Sequence, residues 1–180
     1  MSGVSSPEIS FTPENINNPE QGRINIGVYA YDRLRCLGDH FKASSEEQSR
    51  NKAEGKADTW GQGWHHEQIR RLSRDLFLHI GIAQGRGFID EVTTNGLICL
   101  AEDTPGLSQG IVDNYIDNWN RPDKFNVRER AHNSHNITDT TIQILDSGRS
   151  EITKVGNYAD NAESINNRVD QASLSLKLTK

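Results

Sequence analysis

The chain has 180 residues, a formal net charge of -5 and a hydrophobic content of 33%. The length fits one domain, and the low apolar content predicts a small core with much loop or partner-facing surface. Because its Lys and Arg residues are scattered among acids, the composition argues against nucleic acid as a simple ligand. No run approaches the roughly 18–20 apolar residues of a membrane span, so none is expected.

Residues 1–22 predict a disordered N-terminal arm ahead of a single globular domain over residues 23–180. This segment is rich in Ser, Asn and Glu and is interrupted by Pro7, Pro13 and Pro19. Its one aromatic residue is Phe11. Such a segment buries too little surface to offset its ordering entropy. It lacks the basic and apolar regions of a signal peptide, so the expected location is cytoplasmic, or exported without a cleaved signal. Phe11 gives the arm a means of docking on a protein partner.

The first helix is predicted over residues 28–41, where apolar residues recur at helical spacing. Residues 24–28 alternate like a strand just before it. Residues 42–59 are polar, carry no core pattern and are interrupted by Gly55, which is typical of a solvated loop or an exposed helix.

The clearest helix begins near Trp64, with an apolar stripe at steps of three and four residues. The glycines at its end follow a helix rather than a strand, so they indicate a C-cap and turn and not a phosphate loop. A further helix opens at Thr104 and Pro105 and stops at Pro122. The stripe comprises Ile69, Leu72, Leu76 and Ile80, and the glycines are Gly81, Gly85 and Gly87.

Near the C-terminus the apolar period changes to two. Residues 141–145 and 151–155 flank a segment containing Gly148, which predicts a hairpin around a glycine turn. Leu174, Leu176 and Leu178 alternate with polar residues as one more strand, after a helix through residues 162–172. The predicted fold class is therefore α+β, with a mainly helical N-terminal two-thirds and a small antiparallel β element near the C-terminus.

Histidines are the main concentration of possible chemistry. His65 continues the apolar stripe at the start of a helix, where it can reach a metal ion, and His66 and Glu67 lie beside it as candidate catalytic groups. The alternative is that His65 is a core residue and His66 a solvated one. His79 lies about 21 Å further along the same helix, too far to share a metal with His65, which indicates packing or capping.

Two further places add candidate ligands. His132 and His135 stand three residues apart in a polar segment, so a helical turn would place both imidazoles on one side; an ordinary surface loop is the alternative. Asp39 and His40 end the first helix and offer a carboxylate and a third imidazole, although a C-terminal histidine also favours the helix dipole. Cys36 lies inside a periodic helix, which argues against a thiol-protease nucleophile.

Two motifs carry a resemblance to known families. Trp64-His65-His66-Glu67, together with Gly38-Asp39-His40, resembles the histidine and aspartate motifs of helical zinc-dependent phospholipase C and S1/P1-type nucleases. The motif order differs from that family and its N-terminal Trp ligand is absent. The aromatic-histidine helix, the glycine-rich turn and the histidine-asparagine string at residues 132–136 are similar to small helical domains of bacterial toxins.

The sequence thus favours a small histidine-rich hydrolase or effector-type enzyme, metal-dependent and acting on a phosphodiester or similar ester. In this hypothesis imidazoles hold a divalent metal such as zinc, or grip a phosphate directly, and Glu67 acts as general base on water. The rival hypothesis is a non-catalytic interaction or assembly protein, such as a virion, secretion-system or regulatory component, that docks a partner through the arm.

Overall fold

The computed structural model describes residues 18–57, 60–103, 111–119 and 136–178. Over these ranges the regular secondary structure is entirely helical. None of the helices in this part of the chain is both long enough and apolar enough to cross a bilayer, as the sequence predicts. The helices are α1 (Pro19–Ala53), α2 (Trp60–Gly85), α3 (Glu91–Asp103), α4 (Ile111–Asn118), α5 (Asp139–Val155) and α6 (Tyr158–Lys177).

Helix α1 is the centre of the fold. Asn18 caps it, because its Oδ1 accepts hydrogen bonds from the backbone N–H groups of Glu20 at 2.9 Å and Gln21 at 3.3 Å. Pro19 occupies the first helical position, where its missing N–H costs nothing. The helix has 35 residues and is therefore about 52 Å long. Helices α2, α4, α5 and α6 all pack against it.

The helix predicted over residues 28–41 is present but longer at both ends. It begins inside the segment assigned to the arm and continues to Ala53 through the polar stretch, which is the exposed-helix alternative. The strand-like residues 24–28 are also helical. Every residue from 25 to 32 is buried, because helices cover α1 on several sides. A helix buried on several sides loses the one-sided apolar pattern by which a helix is recognised.

Helix α2 confirms the predicted C-cap and turn at Gly87, whereas Gly81 and Gly85 still lie within the helix. The N–H of Phe88 donates to the carbonyl of Ala83 at 2.9 Å, and that of Gly87 to the carbonyl of Gln84 at 3.0 Å. This pair of bonds is a Schellman motif, and Gly87 has the positive φ of 79° that the motif requires. Asp90 then opens α3, with its Oδ1 accepting from the N–H of Thr93 at 2.8 Å.

The predicted α+β class is wrong, since the segments expected to form β structure are helical. Residues 141–155 lie within α5, and Leu174 and Leu176 lie within α6. The physical reason is Gly148. This glycine makes no turn; it lies in mid-helix where α5 crosses α1, and a Cβ there would collide with the backbone of Gly27. A glycine needed for close helix packing was taken for a turn residue.

The C-terminal end of α6 is fixed against the turn that follows α2. The Arg86 guanidinium donates to the carbonyls of Ser175 at 3.3 Å and Leu176 at 3.0 Å, and also to that of Leu178. A cation at the last turn satisfies carbonyls that have no partner within the helix. Helix α6 is thereby held beside α1 and α2, where it completes the core around His79.

Candidate functional site

Two of the predicted histidines meet between α1 and α2. The Nδ1 atoms of His40 on α1 and His65 on α2 are 2.9 Å apart. At this distance one ring donates its Nδ1–H to the lone pair of the other, so at least one of the two rings is neutral. Both side chains are half-buried. The structure thus brings together an imidazole pair from two different helices, which we call the His40–His65 pair.

Trp64 borders the His40–His65 pair. Its ring centroid lies 5.2 Å from that of His40 and 4.9 Å from that of His65, in both cases edge to face. The indole is 42% exposed, so it shields one side of the pair and leaves its own outer side in solvent. Burial, followed by the neighbouring His65, lowers the pKa of His40 below its usual range.

The other predicted site residues on these two helices are exposed. His66 points to solvent beside the pair. The Glu67 carboxylate accepts from Arg70 Nη2 at 3.0 Å, an ion pair whose side chains are 50% and 65% exposed. Asp39 is exposed next to His40, and its negative charge raises the pKa of that ring against the effect of burial. His66, Glu67 and Asp39 are therefore surface residues close in sequence to the pair.

The predicted ligands His132 and His135 lie outside the described residues. Among the residues that the structure does describe, no group of three or more His, Cys, Asp or Glu side chains is placed to hold a metal ion. In this part of the chain the predicted ligands His40 and His65 meet as a hydrogen-bonded pair, without a third ligand placed beside them.

A second histidine site is buried where α1, α2 and α6 meet. His79 Nδ1 lies 2.6 Å from the carbonyl oxygen of Asp75, which can only accept, so Nδ1 carries the proton. Nε2 then accepts from the hydroxyl of Ser173 at 2.7 Å. The imidazole stacks on Tyr29 with ring centroids 3.7 Å apart, and burial lowers the pKa of His79. His79 is a packing residue, as the sequence predicts.

A buried carboxylate, which the sequence analysis did not single out, lies next to this site. Asp32 is 1% exposed; its Oδ2 accepts from Arg33 at 2.6 Å and its Oδ1 from the Tyr158 hydroxyl at 3.1 Å. Burial raises the pKa of Asp32 above its usual range. The sequence offered one sign that Asp32 is buried, namely that this acidic residue stands inside a run of core residues. Its bonds tie α1 to the start of α6, which is a structural role.

Both cysteines are free thiols. Cys99 is buried, and burial raises the pKa of Cys36 to about 12. A thiol with so high a pKa is not a ready nucleophile near neutral pH. This agrees with the argument against a thiol protease.

A separate cleft of about 670 Å³ opens between the starts of α1 and α3 and the side of α5. It combines an apolar floor with charged and hydroxyl groups at the rim and contains neither histidine of the pair. Its lining includes Arg23, Ile24, Phe88, Asp90, Thr140 and Ile144.

The described residues define an all-helical protein with a half-buried imidazole pair between its two longest helices. Comparison of the chain with protein-family models, with curated proteins and with solved structures finds no match in any of the three. The resemblance to zinc-dependent phospholipase C and S1/P1-type nucleases therefore depends on motif residues alone. Function has to be argued from the site itself.

Proposed function

We propose that this chain is a small hydrolase, acting on a phosphodiester or a similar ester, with its site at the His40–His65 pair. The observation that supports the proposal is the separation of 2.9 Å between the two Nδ1 atoms. Once their mutual hydrogen bond is broken, two imidazoles this close supply nitrogens for one divalent ion or for a phosphate. A bound divalent ion would polarise the ester and lower the pKa of water.

Two carboxylates compete for the acid–base role beside the pair. Glu67 follows His65 by two residues and so lies about 200° further round α2, where Arg70 already engages its carboxylate. Asp39 is adjacent to His40, and its charge acts on that ring. We therefore assign proton transfer from water to Asp39 ahead of Glu67, with His66 as the exposed imidazole next to the pair.

Hydrolysis of bis(p-nitrophenyl) phosphate and p-nitrophenyl acetate by the full chain with added Zn²⁺ tests this proposal. Replacing the general base is expected to lower kcat/KM about 10²–10⁴-fold, so Asp39→Asn should show that loss. Glu67→Gln should lose less than about tenfold on the same scale. The control is Glu46→Gln, an exposed carboxylate further along α1 that pairs with Lys42 and is expected to retain activity. Equal rates in the wild type and in the His40→Ala/His65→Ala double variant would exclude the site.

The exposed apolar side chains favour a non-catalytic interaction or assembly protein as the second candidate. Phe77 and Leu78 on α2 are 37% and 52% exposed, and Leu174 on α6 is 49% exposed. Large exposed apolar groups are typical of surfaces that bind a partner when they are contiguous. Phe11, the predicted docking residue of the arm, lies outside the described residues. Under this candidate Leu78→Glu weakens binding of a partner, and neither model ester is hydrolysed.

A further inference from the structure

We infer that His40 and His65 bind one divalent ion of the zinc class through their Nδ1 atoms and that this ion joins α1 to α2. The inference rests on the proposed function, because it names the cofactor of the same site. It selects metal binding over a direct grip on phosphate.

The distance between the two nitrogens is already close to that required by a shared ion. Imidazole nitrogens bind zinc at about 2.0–2.1 Å in tetrahedral geometry, so two of them on one ion are about 3.3–3.4 Å apart. The Nδ1 atoms of the pair are separated by 2.9 Å. To bind an ion, the two rings therefore have to give up their mutual hydrogen bond and separate by about 0.4–0.5 Å.

The two rings are held in place before any ion arrives. Each stands on a long helix, and α1 and α2 are packed against one another over much of their length. Trp64 contacts both rings edge to face, which limits their rotation. Ligands that are fixed in this way lose little conformational entropy on binding.

The chemistry of the ligands selects the class of ion. Imidazole nitrogen suits Zn²⁺, Co²⁺, Ni²⁺ and Cu²⁺, whereas Mg²⁺ and Ca²⁺ require mainly oxygen ligands. Of the described residues near the pair, Asp39 is the carboxylate whose charge reaches His40. A site with two imidazoles and few oxygens therefore discriminates against the hard ions.

Direct hydrogen bonding of both imidazoles to a phosphate fits the same geometry less well. Phosphate oxygens accept hydrogen bonds, so a grip through the Nδ1 atoms requires an N–H on each ring aimed outward. In the structure the two Nδ1 atoms face one another, and one of them must present a lone pair. A cation accepts lone pairs, so binding it requires the donating ring to carry its proton on Nε2 instead of Nδ1, after which both Nδ1 atoms present lone pairs.

Two protein ligands leave the remaining coordination positions of the ion to water or to a substrate. Catalytic metal sites keep at least one such open position, whereas structural zinc sites are closed by four protein ligands. The predicted metal site is thus open, as the proposed hydrolysis requires.

Isothermal titration of the full chain with ZnCl₂ and, separately, with MgCl₂ tests the inference. Zn²⁺ is expected to bind at one site, with Mg²⁺ binding at least tenfold more weakly. Loss of a partner outside the coordination shell already costs about 10–100-fold in metal affinity, so loss of a ligand in His40→Ala or His65→Ala should cost at least that much. Glu46→Gln removes an exposed carboxylate further along α1, outside the site, and serves as the control, with zinc affinity unchanged.

The variant His65→Cys distinguishes the loss of a ligand from a loss of the fold, because it replaces one metal ligand by another. Thiolate is a zinc-class ligand, so this variant should recover binding and, with Co²⁺, gain a near-ultraviolet sulfur-to-cobalt absorption band. Zinc affinity that is the same in wild type, His40→Ala and His65→Ala would overturn the inference, as would a wild type that binds no zinc. Zinc bound at the pair without hydrolysis of either model ester would leave this inference standing and reject the proposed function. Hydrolysis that persists in the double variant, together with a zinc affinity that the two substitutions leave unchanged, would reject both.

Discussion

At the scale of single residues, the two histidine sites differ in what they leave available. His79 uses Nδ1 on a carbonyl and Nε2 on the Ser173 hydroxyl, and its ring face lies against Tyr29. Neither nitrogen remains for a ligand. In the His40–His65 pair the rings bond to one another through Nδ1, and a cation can replace that contact. This difference, rather than the presence of histidine, separates a packing residue from a candidate ligand.

His79 is expected to make the fold sensitive to acid. Burial lowers its pKa in the folded chain below the ordinary value of 6.5, so below that pH the unfolded chain binds more protons. The free energy of unfolding should therefore be insensitive to His79 above about pH 6.5 and decrease as the pH falls below it. The charged and titratable groups that act on the ring are Asp75, Lys177 and Arg33.

Urea unfolding between about pH 7.5 and pH 5.5 measures this dependence in the wild type and in His79→Gln. Since glutamine does not titrate, the variant should lose less stability on acidification. The wild-type slope also contains His40, whose pKa is lowered by burial in the same direction, and comparing the two proteins removes that contribution. Parallel slopes in both proteins would contradict the role assigned to His79.

At the scale of elements, glycines account for both the success and the failure of the sequence predictions. Gly87 ends α2 with a positive φ, and the sequence places it correctly after a long apolar stripe. Gly148 lies inside α5 and faces Gly27 of α1. Local sequence around Gly148 looks the same whether the glycine turns the chain or admits a neighbouring helix. The distinction depends on a contact with a residue more than a hundred positions away, which no local pattern contains.

The close crossing of α1 and α5 predicts opposite effects for two Gly→Ala substitutions. Gly148→Ala places a Cβ against the Gly27 backbone, which cannot give way as a flexible side chain does. It should lower the free energy of unfolding by about 1–3 kcal/mol. Gly81→Ala, on exposed α2 surface with nothing within 4 Å of the new Cβ, should raise it by about 0.5–1 kcal/mol through helix propensity.

Thermal or urea unfolding of the two variants beside the wild type gives both values. A Gly148→Ala variant as stable as the wild type would mean that the helices separate easily at this point. If Gly81→Ala were destabilising instead, that helix position would have to be in contact with something outside the described residues.

At the scale of the whole molecule, the sequence identified candidate ligands but did not show which of them are in contact in the fold. Asp39, His40, His65, His66 and Glu67 were all selected from residue type and position. The structure places His40 against His65, although α1 continues for about three and a half turns beyond His40 and α2 begins about one and a half turns before His65. Sequence periodicity identifies helices but does not fix how far one is displaced along another, so it could not predict this pairing.

Nuclear magnetic resonance of the imidazole nitrogens in the ¹⁵N-histidine-labelled full chain, recorded before and after one equivalent of Zn²⁺, tests the central claim most directly. Without metal, the account predicts an Nδ1–H on one ring of the His40–His65 pair and a bonded Nδ1 lone pair on the other. With zinc, the Nδ1 signals of both residues should move to metal-bound shifts, while both nitrogens of His79 stay unchanged. Zinc-induced shifts confined to other histidines, or an Nδ1 of His40 or His65 that keeps its proton with zinc present, would contradict the claim.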